Sequence, residues 1–339
     1  MKKWLWIFFS MLVFPCIISV IACMVSPGLS IGQGERTIQN CHMGKNILAE
    51  VNGLYKKMDV EEYTLGILAG VIPPDYDRET LKMQAVIIRT NLLKEMEEQG
   101  TKDAADLPFS YISVEERKEM WGNRKYDLYE KRMEEAVVDT AGKVLKKEGN
   151  LILACYHEVS IGKTASAKEI LGEDISYLQS VESGWDVEAK HYMNLVNLTW
   201  EELGTLLMEK NGEVTQQKKQ QTTDEKMKEG NGNDDAAAVQ QAQSDKMEIQ
   251  ITESTENGFV KKVKIADKEY TGEEIMTLLG LPSLNFYVEE QENGIRFVCL
   301  GKGNNLGVSQ YGANCMAIDG RSMEEILQYY YQDVSLESY

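Results

Sequence analysis

The sequence predicts an α+β fold, because helix-like segments dominate its first part and strand-like segments its second. Helical spacing of apolar residues runs through much of residues 77–147, and two Asn-Gly pairs between alternating runs mark β-hairpins after residue 246. The expected order is a membrane anchor or signal at 1–29, a polar stem at 30–59, the first part of a mixed core at 60–208, a disordered polar insertion at 209–246 and the second part of the core at 247–339.

The first thirty residues favour a membrane location. Two lysines precede an uncharged run from Trp4 to Leu29, and residues 4–25 suffice to cross a hydrocarbon core of about 30 Å as one helix. Lysines at the N-terminus favour the cytoplasmic side for that end, so a single-pass protein with its bulk outside the cytoplasm is expected. The alternative is a lipoprotein signal, because residues 20–23, ending in Cys23, loosely resemble a lipobox.

Two amphipathic helices are predicted next. The first begins after Asp77, a suitable N-cap, and ends at Gly100. The second is predicted over residues 130–147. The apolar positions at helical spacing are Leu81, Ala85, Ile88, Leu92 and Met96 in the first, and Met133, Ala136, Val137, Thr140, Ala141 and Val144 in the second. The short apolar run at 151–157 is better suited to a buried strand.

The second part of the chain carries turn and cap signals. Asn257-Gly258 and Asn293-Gly294 each lie between alternating runs, which is a strong hairpin signal. A short helix between the two hairpins is predicted to end at Gly280, and Ser322 with Glu325 forms a capping box for a last helix. Before these elements, residues 209–246 contain no aromatic side chain and too little apolar surface to offset the entropy of ordering.

Composition excludes some functions. The 339 residues include 36 Lys and Arg against 54 Asp and Glu, a formal net charge of -18, so nucleic acid would be repelled. The three histidines form no zinc pattern, and neither a metal nor another cofactor is expected. Outside the membrane segment the four cysteines show no CxxC pairing; they are free thiols, or Cys299 and Cys315 form a disulfide.

The glycine-rich stretch at 301–313, GKGNNLGVSQYGA, resembles the signature G-Y-G-H-G-V-G-M-S-Q-Y-G-A of the stage II sporulation protein D (SpoIID/LytB) family. Three further stretches resemble family motifs in the same order. Residues 81–90 resemble A-L-K-A-Q-A-V-A-A-R-T, residues 136–183 resemble the central block around Y-H-S-T-S-G-G, and residues 271–286 resemble the segment before the signature. Together these stretches cover most of residues 60–335 outside the insertion.

The resemblance implies a mixed domain that cleaves peptidoglycan glycan strands as a lytic transglycosylase during forespore engulfment. It also implies septal peptidoglycan and the companion sporulation proteins SpoIIP and SpoIIM as partners. Such cleavage needs one carboxyl group, which donates a proton to the glycosidic oxygen and then acts as a base, and burial should raise its pKa.

The resemblance implies that this chain lacks the catalytic acid of the family. It is the glutamate of A-E-M-P-A-S-F, and residues 70–76 place Val71 at that position, while Asn304 stands where the signature has histidine. Neither side chain can titrate. The resemblance therefore predicts a glycan-binding protein with weak or no cleavage. The alternative is an active transglycosylase with a relocated acid, for which Asp75 is the nearest candidate; Asp75 also suits a turn before the helix.

Six residues are candidates for holding the glycan: Gln84, Arg89, Asn304, Ser309, Gln310 and Tyr311. Glycines around the signature let the backbone approach a sugar, or they only shape a tight turn packed on the core. Arg89 either reaches the cleft or pairs with a nearby carboxylate. His157 matches the family histidine, but altered neighbours favour a satisfied structural role. A purely structural surface protein is the third and most distant class of function.

Overall fold

The computed structural model describes residues 37–210 and 246–339, and it confirms an α+β fold. Within these two ranges no helix is both long enough and apolar enough to cross a bilayer. The predicted anchor at 1–29, with Cys23, and nearly all of the predicted insertion at 209–246 lie outside the described residues.

The chain is folded well before residue 60, so the predicted stem is wrong for residues 46–59. Strands β1 (Asn46–Val51) and β2 (Leu54–Asp59) form an antiparallel hairpin. Alternate residues of β1 are apolar and buried in the main core, which is why this segment cannot be a solvated stem. The Asp59 carboxylate then accepts a hydrogen bond from Glu61 N at 3.0 Å and caps the following helix.

Three helices pack under this hairpin: α1 (Val60–Val71), α2 (Arg78–Gln99) and α3 (Val114–Asp139). Helix α2 confirms its prediction at both ends. The Asp77 carboxylate accepts from Glu79 N at 2.9 Å, and Gly100 ends the helix with φ 64°. The end of α1 at Val71 and the start of α2 therefore lie either side of a short turn.

The second predicted helix was wrong in its C-terminal half. Helix α3 starts at Val114 and ends at Asp139, where Thr140 Oγ1 bonds back to the Ala136 carbonyl at 2.8 Å. Gly142, with φ 71°, then reverses the chain, and Val144 is buried from a strand instead of a helix. That strand, β3 (Lys143–Lys147), pairs with β4 (Asn150–Leu151) and with β13 (Ser335–Ser338), near the C-terminus.

The apolar run at 151–157 is a strand only at its ends, in β4 and in β5 (Tyr156–His157). A four-residue helix, α4 (Ala167–Ile170), and a 3-10 turn at Gly184–Glu188 follow β5.

A separate lobe occupies residues 193–300 and has its own apolar core. Both Asn-Gly pairs lie at antiparallel hairpins as predicted, and its second helix ends at Gly280 with φ 62°. Residues on both sides of the predicted insertion contribute to the core of this lobe. The lobe contains β6 (Met193–Thr199), α5 (Trp200–Lys210), β7 (Ile249–Ser254), β8 (Val260–Ile265), β9 (Lys268–Thr271), α6 (Gly272–Leu279), β10 (Phe286–Gln291) and β11 (Gly294–Leu300), in sheets ordered β7-β8-β9 and β10-β11-β6.

The chain then returns to the first part of the fold. Strand β12 (Val308–Ser309) lies beside β5, and helices α7 (Gln310–Ile318) and α8 (Met323–Tyr330) pack against α2. The capping box at the start of α8 is present, with Ser322 N bonded to Glu325 Oε2 at 2.8 Å and Glu325 N to Ser322 Oγ at 3.3 Å. The signature stretch is thereby placed next to residues 155–165.

Candidate functional site

The glycine-rich stretch at 301–313 is held against the segment that contains His157. Strand β12 runs parallel to β5, with Val308 opposite Tyr156 and Ser309 opposite His157. Upstream, Lys302 N donates to the Val159 carbonyl at 2.7 Å. Two distant parts of the sequence therefore form one wall.

Glycines in this stretch are required by close packing. Gly307 has φ 68°, and a Cβ atom added there would lie 2.0 Å from the Cys155 carbonyl oxygen. Gly303 has φ 105°, and its Cβ would lie 2.7 Å from Cβ of His157. Larger side chains cannot be accommodated at either position without displacing β5. This supports the alternative in which these glycines shape a tight turn that packs on the core.

A groove of about 320 Å³ opens between this wall and the end of α1. We call it the Val71 groove; its lining residues are Val71, Tyr156, His157, Glu158, Pro282, Lys302, Gly303 and Gln310. Val71 is the last residue of α1 and is half-buried. Gln310 Nε2 donates to the Val71 carbonyl at 2.9 Å, which fixes the end of α1 at the start of α7.

His157 presents an unpartnered nitrogen in this groove. The residue is 3 % exposed, its Nδ1 lies 3.0 Å from the Leu306 carbonyl oxygen, and its Nε2 has no hydrogen-bond partner among the described residues. Burial lowers the pKa of His157 to about 4. The ring is therefore neutral at pH 7, with the proton on Nδ1 and an acceptor lone pair on Nε2. The expected histidine with satisfied hydrogen bonds is therefore found at Nδ1 but not at Nε2.

Among the residues that line the Val71 groove, Glu158 is the one acid. Its Oε2 lies 2.6 Å from Nζ of Lys302, which also lines the groove. Both side chains are partly exposed, so this ion pair stabilises the fold little. It does place a carboxylate and an ammonium group where a ligand would meet them.

Asp75 does not line the Val71 groove. It is exposed on a turn in which Tyr76 N donates to the Pro73 carbonyl at 3.2 Å. Arg132 of α3 holds the same turn through the Pro74 carbonyl at 3.0 Å. The turn role suggested by the sequence accounts for Asp75, and the relocated-acid role finds no support in its position.

Arg89 is not a glycan ligand, and that candidate was wrong. Its side chain is fully buried, and its Nε lies 2.8 Å from Oε1 of Glu61, itself fully buried. The guanidinium also donates to the carbonyls of Lys143 and Val137. The pairing alternative is the correct one, because a guanidinium inside a core needs a carboxylate beside it.

Gln84 and Ser309 are also buried and cannot contact a glycan directly. Gln84 lies beneath the Val71 groove, where its Oε1 accepts from Gln310 Nε2 at 3.2 Å. The Ser309 hydroxyl donates to Asp186 Oδ1 at 2.8 Å and accepts from Gly312 N at 3.2 Å. Both residues support Gln310, because they fix the start of α7 from which it projects.

The remaining candidates differ in position. Gln310 lines the Val71 groove, whereas Asn304 is exposed beside the lining residue Gly303, with its Oδ1 accepting from Leu306 N at 3.0 Å. Tyr311 is partly exposed one residue after Gln310, and its backbone N–H donates to the Glu158 carbonyl at 3.1 Å. Of the six candidates, Asn304 and Tyr311 are at least partly exposed, whereas Gln310 lines the groove but is only 2 % exposed.

Sequence reasoning missed a buried carboxylate, Asp186, that ties the site together. Asp186 Oδ1 accepts from Ser309, and its Oδ2 accepts from the backbone and hydroxyl of Ser160. No pattern around Asp186 marks it, since its partners are far away in sequence. Glu158 was missed for another reason. It directly follows His157, and that adjacency could have marked it as a groove residue.

The four cysteines within the described ranges, Cys41, Cys155, Cys299 and Cys315, are free, so no Cys299–Cys315 disulfide is present. Burial raises the pKa of the Cys299 thiol to about 11, which keeps it protonated and unreactive.

Comparison with known proteins finds similar sequences. The family model described as stage II sporulation protein matches residues 50–146. Stage II sporulation protein D of Bacillus subtilis (strain 168) is 27% identical over 312 residues, covering 90% of this chain and 82% of its own length. The protein of the same name from Bacillus amyloliquefaciens is 28% identical over 310 residues, covering 89% and 81%.

A third relative matches over a smaller share of its own length. The amidase enhancer of Bacillus subtilis (strain 168) is 25% identical over 298 residues, which is 81% of this chain and 40% of that protein. The family match includes Val71 and all of α2, and the two sporulation relatives extend the similarity over nine-tenths of the sequence. The chain is therefore similar to the stage II sporulation protein D family, through the family model at residues 50–146 and through both sporulation relatives over most of its length.

Proposed function

We propose that this protein binds the glycan strands of peptidoglycan during sporulation and cleaves them weakly or not at all. The observation that carries the proposal is that Val71 lines the Val71 groove. By the sequence resemblance, Val71 stands where the family has its acid. A valine has no proton to donate. Because a general acid typically contributes about 10²–10⁴ in rate, its loss leaves a binding groove with little catalysis.

The groove retains groups suited to a sugar. Lys302 is a donor at its wall and Glu158 is an acceptor, while the unpartnered Nε2 of His157 is a further acceptor that lies buried. Gln310 lies between them with its amide held by the Val71 carbonyl. Such a set of donors and acceptors around a half-apolar surface favours a neutral polar ligand over a free anion.

A second candidate is an active transglycosylase with a relocated acid. The position of Glu158 is the specific observation that favours it, because this carboxyl lines the same groove as Val71. Its partner weighs against the idea. Oε2 of Glu158 lies 2.6 Å from Nζ of Lys302, so the carboxylate is already engaged in an ion pair. Asp75, exposed and outside the groove, is the weaker candidate.

The proposal extends to location and partners. We propose that an N-terminal helix holds the protein in the septal or engulfing membrane with its bulk facing the cell wall, near SpoIIP- and SpoIIM-like proteins. The similarity to a protein named amidase enhancer supports a role in which the bound glycan is presented to a partner hydrolase. This step rests on analogy between relatives.

The test uses the purified full chain and peptidoglycan glycan strands freed of stem peptides. We expect the strands to co-sediment with the protein, while mass spectrometry finds little or no anhydro-muramyl product. Val71→Glu should gain product, and Val71→Gln, which matches glutamate in shape but cannot transfer a proton, should not.

Strong product from the unchanged chain would refute the proposal. If that product disappears in Glu158→Gln or Asp75→Asn, the corresponding carboxyl is the relocated acid. Failure to co-sediment with glycan would instead favour a structural surface protein.

A further inference from the structure

We propose that a second pocket, formed around Trp185, is an additional saccharide subsite that holds a neutral sugar ring of the same glycan strand that occupies the Val71 groove. The inference rests on the proposed function and adds to it a subsite outside the groove. It predicts that the protein recognises a strand of several sugars and not a single unit.

The Trp185 pocket has a volume of about 320 Å³ and is lined by Glu182, Gly184, Trp185, Glu188 and Tyr329. Trp185 is 39 % exposed, which is unusual for the largest apolar side chain and points to a binding surface. The Tyr329 ring forms a second aromatic wall, and its hydroxyl is fixed by donation to the Glu182 carbonyl at 2.7 Å.

The turn that carries Trp185 is anchored to the Val71 groove. Residues Gly184–Glu188 form a 3-10 turn, and Asp186 within it is fully buried. Its carboxylate binds Ser160 and Ser309, which belong to the two segments that wall the groove. The exposed tryptophan is therefore presented by a fixed turn, and little entropy is lost when a ligand stacks on it.

Tyr311 lines neither pocket but lies close to residues of both. It follows Gln310 of the Val71 groove, and helix α7, in which it lies, packs against the Gly184–Glu188 turn. Burial raises the pKa of Tyr311, and Cys315 and the carboxylate of Glu188 add to that rise, so Glu188 lies within electrostatic reach of the phenol. A strand leaving the groove over Tyr311 would reach the Trp185 pocket next.

The chemistry of the pocket favours a neutral amino sugar. The indole and phenol rings offer flat apolar faces, and the carboxylates of Glu182 and Glu188 accept hydrogen bonds from hydroxyl and amide groups. Within residues 37–210 and 246–339, neither carboxylate forms an ion pair, so their negative charge disfavours a sugar that carries a carboxylate. An N-acetylated hexosamine without an acidic substituent fits these conditions.

The experiment measures how affinity depends on strand length. Peptide-free glycan fragments, as disaccharide, tetrasaccharide and octasaccharide, are titrated calorimetrically into the purified full chain. We expect affinity to rise with length in the unchanged protein. Trp185→Ala should bind the disaccharide normally and lose about 5–10-fold in affinity for the octasaccharide. Trp185→Phe should recover most of this loss, and Val187→Ala, on the same turn but outside the pocket, should behave like the unchanged chain.

The outcomes separate the two proposals. If Trp185→Ala keeps the full gain with length, or weakens the disaccharide as much as the octasaccharide, the additional subsite is refuted and the Val71 groove stands alone. If fragments of every length fail to bind the unchanged chain, both the proposed function and the additional subsite are wrong.

Discussion

Replacing Arg89 by methionine should destabilise the protein strongly, because it leaves a buried charge without its partner. Arg89 and Glu61 are both fully buried, and the guanidinium contacts the carboxylate through Nε at 2.8 Å and through Nη2 at 2.5 Å. Removing one member of a buried pair typically costs about 3–5 kcal/mol. That is a large part of the roughly 5–15 kcal/mol by which native proteins are stable.

The double variant Arg89→Met/Glu61→Leu should recover much of this loss. With both charges gone, the remaining costs are the carbonyl groups that Arg89 had satisfied and the Gly142 N–H, which donates to Glu61 Oε1 at 2.9 Å. Each such bond is worth about 0.5–1.5 kcal/mol. The double variant should therefore be more stable than Arg89→Met by at least about 1 kcal/mol.

Urea unfolding followed by circular dichroism measures both differences from the midpoint at constant slope. Arg78→Met is the matched control, since Arg78 lies on the same helix and pairs with Asp139 at 2.5 Å, but at an exposed site. It should cost less than about 1 kcal/mol. Equal losses in Arg78→Met and Arg89→Met, or a double variant as unstable as the sum of its single changes, would refute the reasoning.

Three further predictions concern the wall of the Val71 groove. Burial lowers the pKa of His157 to about 4, so between pH 6.5 and pH 4 the unfolded chain binds a proton that the folded chain does not. The contribution of neutral His157 to stability is therefore complete above pH 6.5 and is lost as the pH falls towards 4. The urea midpoints at pH 7 and pH 5 should consequently differ less in His157→Gln than in the unchanged chain. Gly307→Ala should cost about 2–4 kcal/mol by thermal unfolding, whereas Gly320→Ala, also at positive φ but with open space around it, should cost about 1–2 kcal/mol; equal costs would contradict the packing argument. Glu158→Gln should change the free energy of unfolding by less than about 1 kcal/mol, because its ion pair with Lys302 is partly exposed. A larger loss would show that this ion pair stabilises the fold more than its exposure implies.

Elements with local signals were predictable from sequence. The capping carboxylate of Asp77, the left-handed Gly100 and the Ser322–Glu325 capping box all act within a few residues of their own position. The same holds for the two Asn-Gly hairpins of the 193–300 lobe. In each case the residues that determine the conformation are adjacent in sequence, so tertiary packing had little opportunity to override them.

Elements decided by tertiary packing were not predictable in the same way. Val144 continues the helical spacing of α3, but Gly142 turns the chain and sheet pairing with β13 captures the next residues as β3. The stem prediction failed for a similar reason. The alternating pattern of residues 46–51 is short, and its apolar residues are buried only because the helices that follow pack against them.

The site was predictable only where a motif marked it. The resemblance brought Val71, His157 and Gln310 into consideration, and the structure places all three on one groove. It could not separate Arg89, which belongs to the core, from residues of the groove, because its buried partner Glu61 lies 28 residues away in sequence and no local pattern marks the pair. Asp186 lies in no motif, and its role depends on partners that fold next to it from two other segments.

Packing alone accounts for two glycines of the signature stretch. Gly303 and Gly307 are needed because β5 lies within van der Waals distance of them, whether or not a glycan is cut. Val71, by contrast, is half-buried at the end of α1, and Gln310 holds its backbone carbonyl and not its side chain. The fold therefore requires these glycines, whereas the Gln310 hydrogen bond makes no demand on the side chain at position 71. Under the proposed function, the glycines fix the shape of the groove and the side chain at position 71 determines whether a proton donor is present in it.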